Sequence, residues 1–177
     1  VLVLGLGGAT LAALVHVTGG RWADGLLHVA HRVGALVPLG AVLVFVTAAG
    51  AGHLYPWADA ARVEHDPVLH DRATWMAPPL VAARFMVFGL LWTVAARALA
   101  RRSIQAVKDG SGASRRGAAR SAGLFLALLA PTFSIVCFDA LMSIEPHWPR
   151  TLYAWLHAAG MFEAGVAVVI LCVLAER

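Results

Sequence analysis

Charge is what this sequence has least of. Only 14% of its 177 residues are Asp, Glu, Lys or Arg, against about 25% in ordinary soluble domains. Cysteine is nearly absent too: Cys137 and Cys172 both sit in apolar runs, and no CxxC or CxxCH occurs. A thiolate-ligated cluster or a covalently attached c-type haem built by this chain alone is thereby excluded. Alternating ten-residue segments of the kind that build membrane barrels are missing as well. What is present instead is apolar material, 60% of the residues with a mean hydropathy of +0.75, gathered in helix-length runs. That pattern points to an all-α, polytopic transmembrane helical bundle. The net charge of +4 and pI near 9.8 do not point to nucleic acid, because the basic residues cluster in one segment between apolar runs, where membrane topology accounts for them. Without a charged region before it or a clear small-residue cleavage site after it, Val1–Val17 is read as the end of a transmembrane helix and not as a signal peptide. The sequence starts inside an apolar run and is read as part of a longer chain.

About five spans are expected in a single transmembrane domain covering 1–177: residues 1–17, 33–54, 79–100, 122–143 and 151–175. Gly5, Gly7 and Gly8 permit close helix approach in the first. Residues 18–32, TGGRWADGLLHVAHR, are too polar to span. With Trp22, Leu26, Leu27, Val29 and Ala30 against His28, His31 and Arg32, they read as a short interfacial helix. HLYPW at His53–Trp57 closes the second span, and Tyr55 and Trp57 fit an aromatic belt. In Ala58–Pro78, HDPVLHD resembles metal-ligand spacing, but a proline interrupts it and no third ligand stands at a firm distance. No metal site is assigned. Residues 101–121 hold Arg101, Arg102, Lys108, Arg115, Arg116 and Arg120 against Asp109 alone, with a flexible tip at Gly110–Gly112. They read as a cytoplasmic basic loop, which places the loops after the second and fourth spans on the periplasmic side. Pro131 should bend the fourth span, with Thr132 and Ser134 available to loosened carbonyls.

Three charges inside the apolar runs carry the chemistry. A carboxylate at mid-bilayer costs about 2.5 to 3.5 kcal/mol on insertion scales, so Asp139 calls for an explanation. Two readings stand: a partner, cavity or proton path holds it, or it reaches interfacial water from the last turn of its span. Arg84, a little more than one turn inside the third span, lies at a comparable depth from the same face and is the expected counter-ion. Glu163 is about 20 Å of helix rise inside Arg150, near mid-membrane, and reads either as a protonated structural residue or as a proton relay. Tyr153 and His157 share a face of the last span, while Glu163 is ~120° around the helix from His157. Glu145-Pro146-His147-Trp148-Pro149 then forms a short connection with an indole suited to the interface.

FDALMSIEPHW with the following TLYAW, HLYPW, TGGRW and the arginine-rich segment ending ARSAG together resemble the F-type quinone-binding membrane subunit of bacterial alternative complex III, within the polysulfide-reductase-like group. The resemblance covers nearly the whole chain in order, against a family subunit about twice as long. Ala140 stands where that family usually has tryptophan, and His31 where an acidic residue is expected. The resemblance implies a subunit of a quinol:electron-acceptor oxidoreductase in the bacterial inner membrane, with quinone or quinol as substrate. It also implies lipids and subunits carrying haem c and iron–sulfur clusters as partners. Asp139, Glu163 and His147 are the expected proton-transfer residues. Arg84, His53, Trp148, Tyr153 and His157 are the expected quinone-site or periplasmic cluster. A transporter-like or purely scaffolding bundle is the alternative.

Overall fold

The helix boundaries follow from residues that either free or satisfy terminal backbone groups. In the computed structural model, which describes residues 1–20, 23–148 and 151–176 and leaves aside the side chain of Ala49, α1 (Leu2–Thr18) ends at Gly19. That glycine takes the left-handed conformation, φ 69°, and its amide bonds back to the Val15 carbonyl, as C-terminal caps commonly do. Arg21 and Trp22 of TGGRW, together with Pro149, Arg150 and Arg177, lie outside the described residues. Next come α2 (Asp24–Gly34), α3 (Val37–Ala49) and the single turn α4 (Ala51–Leu54). Two short helices, α5 (Ala60–His65) and α6 (Pro67–Arg72), are each opened by an aspartate: Asp59 accepts from the Ala61 amide and Asp66 from Val68. HDPVLHD is thus a helix start, an Asp cap followed by Pro at the first helical position.

Two long helices follow, α7 (Pro78–Asp109) and α8 (Gly112–Ala140), and α9 (Tyr153–Ala175) closes the chain. The basic segment 101–121 is helical rather than a loop, apart from the turn at Gly110 and Ser111. Alanine and arginine are strong helix formers, and α7, at about 48 Å, simply runs past a ~30 Å hydrocarbon core. Gly110 supplies the left-handed turn residue, φ 63°, and the Ser111 hydroxyl caps α8 by accepting from the Ser114 amide. Inside α8, Pro131 is accommodated without breaking the helix. Thr132 donates to the Leu128 carbonyl and Ser134 to that of Ala130, so neither hydroxyl takes up the Ala127 carbonyl, the one that Pro131 deprives of its donor.

The expected interfacial helix 18–32 is also corrected. From Asp24 to Ala48 the chain forms one candidate span, and α2 followed by α3 runs antiparallel along α1. Gly8 of α1 lies against Ala30 and Val33, Gly5 against Leu36 and Val37, and Gly40 against Leu2, all so closely that a Cβ would find no room. The apolar side of α2, Leu27, Val29, Ala30 and Val33, packs with Ala12, Val15 and Val169 rather than into headgroups. On the opposite side of α1, Gly7 meets Met161 and Gly165 of α9. Among the described residues there is no strand, and four helices are long and apolar enough to cross a membrane, Asp24–Ala48, Pro78–Asp109, Gly112–Ile144 and Tyr153–Ala175, with the shorter apolar α1 beside them. The chain is an all-α transmembrane bundle. At its basic end, His16 of α1 is 2.7 Å from the Ser103 hydroxyl of α7, Arg115 pairs with Asp24 at 3.3 Å, and His28 and Arg32 hold Glu176.

Candidate functional site

At the opposite end from the basic residues, α8 terminates in a buried charged cluster. The Asp139 side chain is 1% exposed, and it lies in the last turn of α8, where unpaired carbonyls already concentrate negative charge. Its carboxylate therefore needs donors, and two distant segments provide them. Arg84 Nε donates to Oδ2 at 2.8 Å and the Trp75 indole donates to Oδ1 at 3.0 Å. Arg84 also donates to the Trp75 carbonyl at 2.9 Å and lies 4.3 Å from the centroid of that ring, a cation–π arrangement. The expected Arg84–Asp139 ion pair is present. Both the interfacial-water reading of Asp139 and its direct placement in a cavity are set aside, because the carboxylate faces α7 and the Trp75 connection.

The turn after α8 adds a second layer. Ser143 donates to the Asp139 carbonyl, and the Trp57 indole donates to the Ser143 hydroxyl at 2.9 Å. Tyr55 stacks on Trp57, ring centroids 4.8 Å apart, and its hydroxyl donates to the Ala140 carbonyl at 3.0 Å. Both rings are buried, so the aromatic-belt expectation for Tyr55 and Trp57 is corrected: a buried hydroxyl or indole N–H takes a partner, and both are found in the chain end that follows Asp139. Burial pushes the Tyr55 phenol above its ordinary value, the nearby Thr47 hydroxyl works against this, and the Asp139 charge adds to the rise. Tyr55 is the functional candidate that sequence reasoning missed. The signal was HLYPW itself, since Pro56 turns the chain and places two aromatic side chains against the neighbouring loop.

Behind α8, on the side away from Asp139, lies an apolar cavity of about 500 Å³ between α1, α3, α8 and α9. Its wall includes Leu43, Val44, Thr47, Phe133, Cys137 and His157. His157 Nδ1 is 2.9 Å from the Tyr153 carbonyl and its ring lies 4.3 Å from that of Tyr153. A carbonyl only accepts, so Nδ1 carries a proton, and in the neutral tautomer this fixes, Nε2 is the acceptor. Thr47 lines the same cavity, its hydroxyl donating to the Val44 carbonyl, and stands near the Tyr55 hydroxyl. The hydroxyls of Thr47 and Tyr55 thus stand between the cavity and the Asp139 cluster.

The remaining expected residues are dispersed. His147 Nε2 is 2.7 Å from Asp66 Oδ2, on the exposed connection, and not against Asp139. Desolvation pushes the Asp66 carboxyl up, but the His147 hydrogen bond and the Val68 and Leu69 amides outweigh it and hold Asp66 below its ordinary value. His53 is exposed beside Asp59 and Arg62, and Trp148 is half exposed beyond the turn. Glu163 is exposed on the outer face of α9, has no hydrogen-bond or ion-pair partner among the described residues, and does not line the cavity. The structure therefore joins Arg84 to Asp139 and Tyr153 to His157, and leaves Glu163, His53, His147 and Trp148 outside both groups. Neither protein-family models nor curated proteins give a match to this chain, so the functional reading rests on this geometry and on the residues that carry the resemblance.

Proposed function

We propose that this chain is a membrane subunit of a respiratory quinol:electron-acceptor oxidoreductase of the alternative complex III type, in the bacterial inner membrane. In this reading it contributes a quinone pocket and a proton half-channel beside subunits that carry haem c and iron–sulfur clusters. The observation that carries the reading is the apolar cavity with His157 on its wall. A quinol ring is a flat apolar body with hydroxyl donors at its ends, and a pocket for it needs apolar walls and few, well-placed acceptors. His157, its neutral tautomer fixed by the Tyr153 carbonyl, offers such an acceptor at Nε2. Oxidation of a quinol releases two electrons and two protons, and an imidazole is suited to take a proton near neutral pH. Thr47 and Tyr55 lead from the cavity toward Asp139 and Arg84, which supply a fixed charged group on the side of the periplasmic connections. Glu163 has no part in this pocket.

Quinone binding to the purified chain in nanodiscs tests the reading. A short-chain benzoquinone is expected to quench tryptophan fluorescence saturably. His157→Leu should weaken that binding about tenfold, the equivalent of one lost hydrogen bond, and Phe133→Ala should weaken it by removing wall surface. Quenching that is linear in quinone concentration, or identical in both variants, rejects the pocket.

A further inference from the structure

The cavity that carries His157 does not stand alone. A second one, of about 270 Å³, lies between α1, α8 and α9 on the side nearer the basic end, and its wall includes Leu126, Leu129, Trp155, Ala158 and Phe162. Phe133 of α8 and Met161 of α9 stand in the walls of both cavities, so the two adjoin at these side chains. Along α8 the lining residues Leu126, Leu129, Phe133, Cys137 and Ala140 recur at three- and four-residue intervals, which is one face of a helix. That face therefore lines both cavities in succession, over about 21 Å of helix rise. α9 crosses it at Met161, with His157 on the wall of the first cavity and Ala158 on the wall of the second.

The second cavity asks for an apolar occupant. No charged residue lines it, and the Ser134 hydroxyl already donates to the Ala130 carbonyl. The hydroxyl of Thr10, a residue 8% exposed, is the one buried side-chain polar atom in that wall left without a partner among the described residues. A polar ring would thus find one hydroxyl there, against the imidazole acceptor of the first cavity. The two spaces together fit one elongated molecule, a flat head with hydrogen-bonding ends followed by a long apolar chain. That is the shape of a membrane quinone. Methionine is unbranched and adapts to irregular gaps, so the seam at Met161 can admit a chain without displacing a helix.

We infer that the second cavity holds the isoprenoid tail of the quinone whose head sits at His157, with the tail passing between Phe133 and Met161. The inference rests on the quinone reading proposed above and adds to it the class of ligand, a quinone bearing a tail, and the path that the tail takes along α8.

Photolabelling of the chain in nanodiscs tests it. The probe is a benzoquinone with a prenyl tail that carries a diazirine part-way along. Light should attach it to Leu126, Leu129 or Ala158. An excess of tail-less benzoquinone, too short to reach that cavity, should remove these adducts, because head and tail belong to one molecule. Ala130→Phe, at an exposed position on the second cavity's wall, should lower the adduct yield several-fold by filling the space. Thr10→Val should keep it, since an apolar tail makes no use of the hydroxyl. Adducts that benzoquinone does not displace mean an independently seated lipid chain, and adducts that Thr10→Val abolishes mean a polar ligand; either result overturns the inference. Saturable quenching by benzoquinone with no adduct in the second cavity overturns the tail path alone and leaves the head pocket standing. Quenching that is linear in benzoquinone rejects the pocket itself, and the tail path with it.

Discussion

The buried pair at the end of α8 gives the sharpest test of how the bundle tolerates charge. Arg84→Leu would leave the Asp139 carboxylate, 1% exposed, with Trp75 as its remaining side-chain donor. It would also remove the bond to the Trp75 carbonyl and the contact with its ring. Stranding one member of a buried pair costs about 3 to 5 kcal/mol, a hundredfold or more in the folding equilibrium at 1.4 kcal/mol per decade. The reverse change should cost less, about 1 to 3 kcal/mol, because Arg84 is 16% exposed and lies in the second turn of α7, where its long side chain can swing to the interface. Asp139→Leu together with Arg84→Leu strands no charge, and the half-exposed Trp75 can give its indole and carbonyl to water, so the double change should be no worse than Arg84→Leu alone. The coupling energy would then be about 2 kcal/mol or more, toward the upper end for contacting residues. Unfolding by dodecyl sulfate in mixed micelles, followed by far-ultraviolet circular dichroism for the four forms, measures it. Additive costs, with a coupling under about 0.5 kcal/mol, would refute the view that each charge is buried on account of the other.

Three further outcomes are expected. Gly7→Ala should destabilise the bundle by about 1 to 3 kcal/mol, since its Cβ would fall 2.4 Å from the Met161 carbonyl oxygen and 2.7 Å from Gly165 Cα; thermal unfolding in detergent checks this, with Gly123→Ala, whose Cβ meets nothing within 4 Å, as the silent control. The Asp66 carboxyl is held below its ordinary 3.8, so the clasp with His147 contributes in full above that value and is lost as pH falls through the lower folded-state value. Hydrogen exchange at the α6 amides, measured downward from about pH 5, should show this acid limb in the native chain and lose it in Asp66→Asn. A thiol placed by Ser111→Cys, with both native cysteines replaced, should react with an impermeant reagent only from the side bearing the basic helix ends, and Trp148→Cys only from the other.

The last three spans were legible because an apolar run of helix length has few ways to satisfy its backbone in a membrane, whereas the second begins at Asp24 and not at residue 33. Arg84 and Asp139 were legible as a pair for a related reason: two costly charges at one depth from one face have most to gain from each other. The basic segment departs from the expected loop because arginine-rich composition with a central glycine does not distinguish a flexible connection from two helix ends. Its alanines and arginines favour helix, and only Gly110 and Ser111 depart from it. α2 was misjudged because amphipathicity reports that one side is covered without reporting by what. Lipid headgroups and a glycine-bearing face of α1 both cover the same positions, and the discriminating clue was that Gly5 and Gly8 lie on α1 without a helix yet assigned to them. Trp75 as second donor to Asp139 was beyond reach, because no periodicity links a tryptophan in a connection to a carboxylate 64 residues later.

Depth alone does not decide which carboxylate serves the cavity; rotation about the helix axis enters as well. Glu163 is six residues beyond His157, which carries it ~120° around α9, and the structure has the one residue on the cavity wall and the other on the outer face. Asp139 is two residues beyond Cys137, ~160° around α8, and it turns to Arg84 while Cys137 turns to the cavity. Asp139 is therefore separated from the cavity by the width of α8, whereas Glu163 stands near the stripe of Leu156 and Gly160 that lines it but one turn nearer the basic end, outside the wall. On the proposed reading, the first proton from a bound quinol goes to an imidazole and not to a carboxylate, because His157 is the residue on that wall with a free acceptor nitrogen. The Tyr55 and Thr47 hydroxyls, and not a string of acids, are then what connects that imidazole's cavity to the charged cluster at the end of α8.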